Sequence, residues 1–531
     1  MKKKIRGLAL ILSIVLAFAM SGCGKKEVSV PIETGEFVLG ETPLEFTWYQ
    51  NYDYYAAKPW ATDSMVQKWM QDNLKVNIKF MDAGGAAAEK YSVMVVSGDF
   101  PDVMQMDRGQ DTNSLISTGK VVSVDRYTDK YKNYYNDFKD NGILSMLVSD
   151  DGKWYQIPNW ANAAGKPNGN YGWALNKNIY DSLSRPKIET YDELYAYLNL
   201  VKEKHPDIIP LEINSENFIF SGMKEDVMPD YIANYLGYPE GNNLKLVFEM
   251  PEYREAIQFM NKLFLEKLIS QDAFSQTKDQ LIEKWSNGSM AVLAGEIVSE
   301  TARGNINKIG NDWEYIMPVH KAGLDQNKIM VQSYNMVGSN VSLIMNNAKN
   351  PEGIFAFLDW CYSYEGQSLI SYGPKGLYYD DFDENNFPNL KPSYFEKTSA
   401  EINKEKGDAG VTVGNTGWID ACAINVYNKA PEEKRSWTKF IQQNVIWKTS
   451  KNATEFCNVI PAKNSNEGII YQNIMDMYKN YKAKMIFAKS EAEVNSLLDE
   501  LITKCKSAGS DAFLKSETEI WQSNRKKLNL D

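Results

Sequence analysis

The residues best suited to hold a ligand lie in one short segment, 47–55 (TWYQNYDYY). Tyrosine and tryptophan rings offer flat apolar faces, while hydroxyl and carboxylate groups exchange hydrogen bonds with polar ligands. We expect ligand contacts from the aromatic and acidic side chains of this segment, namely Trp48, Tyr52, Asp53, Tyr54 and Tyr55. Trp48 also has a second interpretation, because it ends a predicted strand and would then face the core.

Residue patterns for catalysis are mostly missing. The chain has two histidines, His205 and His320, in separate segments. Two such histidines exclude an HExxH motif and any multi-histidine metal site. The sequence contains no GxSxG, GxGxxG or GxxxxGK[ST] motif. A carboxylate pair that cleaves a glycosidic bond stays open, because the sequence does not give the distances between its 69 acidic residues.

We expect no cofactor and no metal ion. The acidic segment 380–386 (DDFDENN) predicts a surface turn; the alternative is a calcium loop, which lacks the expected central glycine. After Cys23, the cysteines are widely spaced without a CxxC motif, which argues against a zinc site or a dense disulfide framework. A single disulfide stays open.

The N-terminus has the pattern of a bacterial lipoprotein leader. Four basic residues among the first six precede an uncharged run, 8–20, which is too short to cross a bilayer core of about 30 Å as a helix. The following MSGC sequence resembles a lipobox, with Met20 in place of the usual leucine. We therefore expect a leader over 1–22, lipidation of Cys23 and a polar tether over 23–42. The alternative is an ordinary secretory leader with an incidental cysteine.

Charge and length narrow the class of protein further. The formal net charge is −11, and removal of the basic leader would make it more negative. Nucleic acids repel such a chain, so we expect no nucleic-acid partner. A length of 531 residues is too great for a single core and favours two or more lobes.

The elements that would position the ligand-binding residues alternate between strand and helix. Apolar and polar residues alternate at 44–48 and 76–80, and helical spacing covers the residues 65–74 between them. This order predicts parallel strands joined by crossovers, hence an α/β sheet. Ligands of such sheets bind beyond the carboxyl ends of the strands, which is where segment 47–55 begins. A capping box at Thr190 and an Asn350-Pro351 start predict two later helices.

Several segments together resemble one known family. They are 97–107 (SGDFPDVMQMD), 153–160 (KWYQIPNW), 173–198, 283–295 (EKWSNGSMAVLAG) and 350–379. Each is weak alone, but their order and spacing agree over nearly the whole chain. The sequence resembles the extracellular solute-binding lipoproteins of bacterial carbohydrate ABC importers, of the family 1 type and its large Firmicute branch.

The resemblance implies a two-lobed periplasmic-binding-protein-like fold, each lobe a parallel-rich sheet flanked by helices, with a hinge between them. It assigns 43–160 and 297–350 to an N-lobe, and 161–296 and 351–531 to a C-lobe. It also implies a monomer, not an enzyme, anchored by lipid at the outer face of the cell membrane. Such a protein captures a carbohydrate, here expected to be an oligosaccharide, and delivers it to the transmembrane permease subunits. The alternatives are a surface glycoside-cleaving enzyme and a sensory or peptide-binding relative.

Positions near the expected cleft add further candidate ligand contacts: Asp102, Asp107, Trp160, Tyr171, Trp173, Glu296, Tyr334 and Trp418. Asp102 has an alternative role in fixing a turn after its strand. For Tyr171 and Trp173 the alternative is core packing at the hinge.

Overall fold

The computed structural model describes residues 36–139, 142–149, 151–159, 161, 169–213, 215–411, 413–414 and 416–530. The predicted leader, Cys23 and Trp160 lie outside the described residues. Residues 37–531 belong to one compact unit.

The strands of this unit form two larger sheets and three short ladders. They are β1 (Leu44–Gln50), β2 (Val76–Asp82), β3 (Val103–Asp107), β4 (Ile157–Asn159), β5 (Tyr171–Asn176), β6 (Ile209–Ile213), β7 (Gly237–Glu240), β8 (Asn243–Leu246), β9 (Met290–Glu296), β10 (Trp313–Ile316), β11 (Gln332–Tyr334), β12 (Asn340–Ile344), β13 (Tyr379–Phe382), β14 (Pro388–Leu390) and β15 (Ser450–Asn452).

Helices cover both faces of the sheets. They are α1 (Met65–Leu74), α2 (Ala87–Ser97), α3 (Gln110–Ser117), α4 (Asn133–Phe138), α5 (Ile143–Leu147), α6 (Lys177–Ser182), α7 (Tyr191–Lys204), α8 (Asn217–Ser221), α9 (Pro251–Leu265), α10 (Lys278–Asn287), α11 (Glu300–Lys308), α12 (Pro351–Cys361), α13 (Tyr364–Tyr372), α14 (Pro392–Phe395), α15 (Ser399–Lys406), α16 (Thr416–Lys429), α17 (Trp437–Asn444), α18 (Asn466–Ile486), α19 (Glu491–Ser507) and α20 (Ser510–Lys527). The capping box at Thr190 and the Asn350 cap are confirmed at the starts of α7 and α12.

The first sheet has the strand order β2–β1–β3–β12–β4. β1 runs parallel to β2 and β3, as the strand–helix–strand pattern predicts, while β12 runs antiparallel to β3 and β4. Because side chains alternate along a strand, each face of this sheet has its own core. Trp48 and Val103 lie in one, and Tyr49 and Met104 in the other.

The second sheet has the order β10–β5–β9–β6. β5 pairs antiparallel with both β9 and β10, and β9 runs parallel to β6. Trp173 and Leu175 of β5 pack into one core and Ala174 into the other, again by alternation. The α/β class is confirmed, but both sheets are mixed rather than parallel-rich.

We call the part built on the first sheet the N-lobe and the part built on the second sheet the C-lobe. Two segments differ from the predicted boundaries. Residues 300–316 carry α11 and β10, which belong to the C-lobe, because β10 pairs with β5 and Ile306 packs beside Trp313. Helix α12 belongs to the N-lobe, because its apolar side, including Phe355 and Leu358, packs into the core around Trp48.

The lobes are connected by crossover segments that also contact each other. β11, on the way from the C-lobe to β12, pairs in parallel with β15, on the way back to the C-lobe. Arg108, directly after β3, donates from Nη2 to Asn458 Oδ1 over 2.9 Å. Phe456 packs into a C-lobe core and Cys457 into an N-lobe core, so this segment lies at the junction of the lobes.

Among the described residues, no helix combines the length and the apolar composition that crossing a membrane requires.

Candidate functional site

A pair of stacked tyrosines lies just beyond the carboxyl end of β1. The rings of Tyr52 and Tyr54 are 5.3 Å apart at an interplanar angle of 21°. Tyr52 is 9% exposed and forms the base, whereas Tyr54 is 84% exposed. The Tyr54 ring therefore lies nearly parallel to that of Tyr52, while most of its surface faces solvent. We call this pair the aromatic platform.

A polar pair lies beside the platform, at the end of β3 and the start of β12. Asn340 is the register partner of Asp107, and its Nδ2 donates to Asp107 Oδ1 over 2.5 Å. The other Asp107 oxygen has no protein donor among the hydrogen bonds of the described chain. Because Asp107 is exposed, that oxygen is available to a ligand hydroxyl.

The electrostatics place the platform and the polar pair next to each other. Burial raises the pKa of Tyr52, and the charge of Asp107 raises it further. Burial also raises the pKa of Asp107, while the hydrogen bond from Asn340 opposes that rise. The Tyr52 hydroxyl therefore stays protonated, but its oxygen is enclosed by the protein, whereas the Asp107 carboxylate can accept from a ligand. An apolar face and an acceptor meet at this edge of the N-lobe.

The C-lobe presents a second polar and aromatic edge, formed by β5 and β9. Tyr171 and Glu296 are register partners across these strands, and Tyr171 is 45% exposed. Glu296 pairs with Lys278 at 3.0 Å. Burial raises the pKa of Tyr171, and the nearby Glu296 adds to the rise. The Tyr171 backbone amide donates to the side chain of Gln332 in the crossover strand β11, over 3.3 Å.

Tyr55 faces a different surface from the aromatic platform. It lines a depression of about 570 Å³ together with Phe80 of β2 and Lys406 of α15. Burial, with smaller contributions from Asp408 and Asp82, raises the pKa of Tyr55 to about 12. The turn from Tyr52 to Tyr55 thus places the Tyr54 ring on the side of the platform and the Tyr55 ring on the side of the depression.

Trp48 and Trp173, two candidate ligand contacts, are core residues. Both are fully buried. The Trp48 ring packs against Phe46 and Phe80 at centroid distances of 6.2 and 5.9 Å. Each tryptophan sits at an inward position of its strand, where the alternation of side chains points it into the sheet packing. In this structure neither ring is placed to contact a ligand, and we leave both out of the site proposed below.

Asp102 and Asp53 hold the backbone in place. Asp102 Oδ2 accepts from the amide and from the hydroxyl of Thr47, both over 2.7 Å, and the Asp102 amide donates back to that hydroxyl. This is the turn-fixing alternative that the sequence left open. Asp53 accepts from the Ala87 amide over 2.8 Å at the start of α2, where a negative charge is favourable.

Two weaker candidates lie further along the chain. Tyr334 ends β11 and is half-buried, and burial raises its pKa. Trp418 packs against Tyr364 and Phe387 at 6.0 and 5.8 Å. Neither contact joins these residues to the aromatic platform. Trp160 lies outside the described residues.

The acidic segment 380–386 contributes the turn between β13 and β14. Asp383 Oδ1 accepts from the amides of Asn385 and Phe387, over 2.9 and 3.0 Å, and Asp380 pairs with Lys391 at 3.0 Å. Across the part of the chain that the structure describes, no cluster of three His, Cys, Asp or Glu side chains is arranged to hold a metal ion. The cysteines at 361, 422, 457 and 505 are buried free thiols, so the single disulfide left open is not formed among them.

Asn340, Gln332 and Lys278 are site residues that the sequence did not indicate. Asn340 reaches Asp107 although 233 positions separate them along the chain. Only the pairing of β12 with β3 brings them together, and no local pattern encodes that pairing. Lys278 begins α10, after a capping box at Thr277 that could have located the helix but not its ion pair with Glu296.

The fold is that of two-lobed extracellular solute-binding proteins. The structure of the substrate-binding protein FusA of S. pneumoniae in complex with kestose matches it with a TM-score of 0.68, at 15% sequence identity, over 91% of this chain and 99% of that chain.

The family follows from the sequence itself. The model of the family described as bacterial extracellular solute-binding protein matches residues 53–368, more than half of the chain, so the chain belongs to this family. A carbohydrate ABC transporter substrate-binding protein of Streptococcus pneumoniae serotype 4 is 24% identical over 83% of this chain and 85% of its own length. The polygalacturonan/rhamnogalacturonan-binding protein YtcQ of Bacillus subtilis is 20% identical over 73% of this chain and 76% of its own.

Proposed function

We propose that this protein is the substrate-binding component of a carbohydrate ABC importer and that its ligand is an oligosaccharide. The observation that carries the proposal is the aromatic platform beside Asp107 and Asn340. Membership of the solute-binding family and the carbohydrate-binding names of its relatives agree with it.

The platform suits a sugar for a chemical reason. A pyranose ring has patches of C–H on its faces and hydroxyls around its edge. The 84% exposed ring of Tyr54 matches the face, while the Asp107 carboxylate matches the hydroxyls at the edge. Covering an apolar ring face contributes about 25 cal/mol for each Å² buried. A few such contacts are enough for a micromolar dissociation constant, about −8 kcal/mol.

Tyr171 and Glu296 form the matching edge of the C-lobe in this proposal. A ligand that contacts both edges shifts the equilibrium between an open and a closed arrangement of the lobes, because only the closed form offers both sets of contacts. The paired crossover strands β11 and β15 are where such a motion would bend the chain. The transmembrane permease subunits would then recognise the closed form.

The site is proposed to bind without cleaving its ligand. Glu296 is ion-paired with Lys278, and Asp107 is hydrogen-bonded to Asn340, so each carboxylate is already engaged by a protein side chain. A glycosidase needs one carboxyl group that stays protonated to act as the acid. We expect no turnover of chromogenic glycosides by the purified protein.

Lipid anchoring is part of the proposal and rests on the sequence. A leader over 1–22 and a diacylglyceryl group on Cys23 would hold a monomer at the outer face of the cell membrane, since two or more acyl chains suffice for stable anchoring. Mass spectrometry of the protein purified from membranes, compared with a Cys23→Ser variant, tests the modification directly.

A glycan panel tests the binding function. We expect at least one oligosaccharide to raise the melting temperature and to change tryptophan fluorescence, with a dissociation constant measurable by titration calorimetry. Tyr54→Ala should weaken the binding of that ligand. Tyr364→Ala serves as the matched control, because Tyr364 is also an exposed tyrosine and packs on Trp418. A panel of neutral and acidic oligosaccharides without any binding ligand would refute the proposal.

A further inference from the structure

We infer that the depression lined by Tyr55, across the turn from the aromatic platform, is a subsite for the carboxylate of an acidic sugar, so that the ligand is an acidic oligosaccharide. The inference rests on the proposed function and deepens it. Its centre is Lys406, the last residue of α15, which lines the depression of about 570 Å³ together with Tyr55.

Lys406 is a buried cation whose amino group is held by backbone carbonyls. Its side chain is 9% exposed, and Nζ donates to the carbonyls of Ile370 and Gly407 over 3.1 and 3.2 Å. Within the described residues, it forms no ion pair with a carboxylate, unlike Lys130, Lys284 or Lys439. Burial lowers the pKa of Lys406, which shows that the charge is held at a cost. An anion that enters the depression relieves that cost.

The rim of the depression also carries positive charge. Lys58 and Lys404 line it and are exposed, so that three lysines face one cavity. Two aspartates, Asp63 and Asp408, also line it, which leaves an excess of one positive charge. Asp408 Oδ1 accepts from the Gly410 amide over 2.9 Å. The Asp408 charge attracts that of Lys406, but the two form no ion pair within the described residues.

The depression continues the proposed site along the chain. The Tyr55 amide donates to the Tyr52 carbonyl over 3.3 Å, which closes the turn between the platform and the depression. The Tyr54 ring lies on the platform side of this turn and the Tyr55 ring on the depression side. An oligosaccharide stacked on Tyr54 therefore needs to cross only this turn for its next unit to reach Tyr55 and the lysines.

The depression combines a ring, hydrogen-bonding groups and positive charge. The Tyr55 and Phe80 rings can pack against a sugar face, and the Gln67 amide can bond to its hydroxyls. A carboxylate is the anionic group that sugars carry at the ring edge, where a lysine pair can reach it. The geometry thus selects a uronic-acid unit over a neutral one at this position.

The test compares ligands that differ only in charge. Oligogalacturonate and oligomannuronate trimers are titrated into the full-length protein beside their methyl esters, and neutral trisaccharides are included. We expect at least one acidic trimer to bind at least tenfold more tightly than its ester, with an affinity that falls as salt rises. Because the wild-type protein is used, this comparison does not depend on whether a variant folds.

Variants of the exposed lysines locate the effect. Lys58→Gln and Lys404→Gln should each weaken the binding of the acidic trimer by about three- to tenfold. The affinity for its ester should stay unchanged. Lys479→Gln, on helix α18 of the C-lobe, is the matched control and should change neither. Equal affinity for acid and ester, or unchanged acid affinity in both rim variants, would overturn the inference.

The outcomes also separate this inference from the proposed function. If neutral trisaccharides bind and neither acidic trimer does, the carboxylate subsite is wrong while carbohydrate binding stands. If no glycan binds at all, both the carboxylate subsite and the proposed carbohydrate-binding function are wrong.

Discussion

Replacing Tyr54 by alanine removes the exposed half of the aromatic platform and leaves Tyr52 in place. Because Tyr54 is 84% exposed, only about a sixth of its surface is buried, which corresponds to about 30 Å² of a side chain of roughly 200 Å². At about 25 cal/mol per Å², this burial stabilises the fold by less than about 1 kcal/mol. The variant should therefore fold and melt close to the wild type.

Ligand binding should suffer far more than stability. A sugar that covers the open face of the ring buries about 50 Å² of it, worth about 1.3 kcal/mol. This loss corresponds to a roughly tenfold weaker dissociation constant. Titration calorimetry with the ligand found in the panel measures this loss.

Tyr54→Phe is the control, because it keeps the ring and removes only the hydroxyl. We expect its dissociation constant to stay within about threefold of the wild type. The stacking argument is wrong if Tyr54→Ala binds as tightly as the wild type while folding normally. It is also wrong if the phenylalanine variant loses as much affinity as the alanine variant.

Three further predictions concern stability. Asp102→Ala removes the acceptor of two hydrogen bonds from Thr47 and should lower the free energy of unfolding by about 2–3 kcal/mol in urea, with the ligand affinity of the folded protein unchanged. Burial raises the pKa of Glu517 well above its ordinary 4.5, so the folded state loses stability as the pH rises above about 4.5, where the unfolded chain ionises. Glu517→Gln should therefore raise the melting temperature at pH 7 and 9 but not at pH 4, and an equal shift at all three would contradict this. Gly338→Ala places a methyl group 2.1 Å from the Asn159 carbonyl, at a φ of 87°, and should cost about 3 kcal/mol or more; wild-type stability in urea would show that the backbone can relax.

The local elements of the fold could be predicted from sequence because they are encoded by neighbouring residues. The alternation at 44–48 and 76–80 and the capping box at Thr190 each mark an element that the structure contains. The lobe boundaries could not be predicted in the same way. β10 and α12 carry no local pattern that identifies their lobe, and only long-range pairing and packing decide which sheet or core they join.

In the candidate site, too, residues in a local run could be predicted, whereas residues brought in by distant segments could not. The run of aromatics after β1 identified Tyr52 and Tyr54, since a loop cannot direct consecutive rings into one core. A strand-end tryptophan such as Trp48 can equally face inwards, and the structure places it there. Asn340 and Lys406 belong to segments far from 47–55, so their approach to the site depends on tertiary contacts that no local pattern records.

The position of β12 inside the N-lobe sheet has a consequence for the way in which the chain acquires its structure. β3 and β4 are bridged only by a strand from residues 340–344, so a nascent N-lobe keeps two open edges until nearly 200 further residues have been made. Contacts of such separation form late and slowly. All four strands of the second sheet precede β12 in the chain, so the C-lobe sheet can be complete before the N-lobe sheet closes.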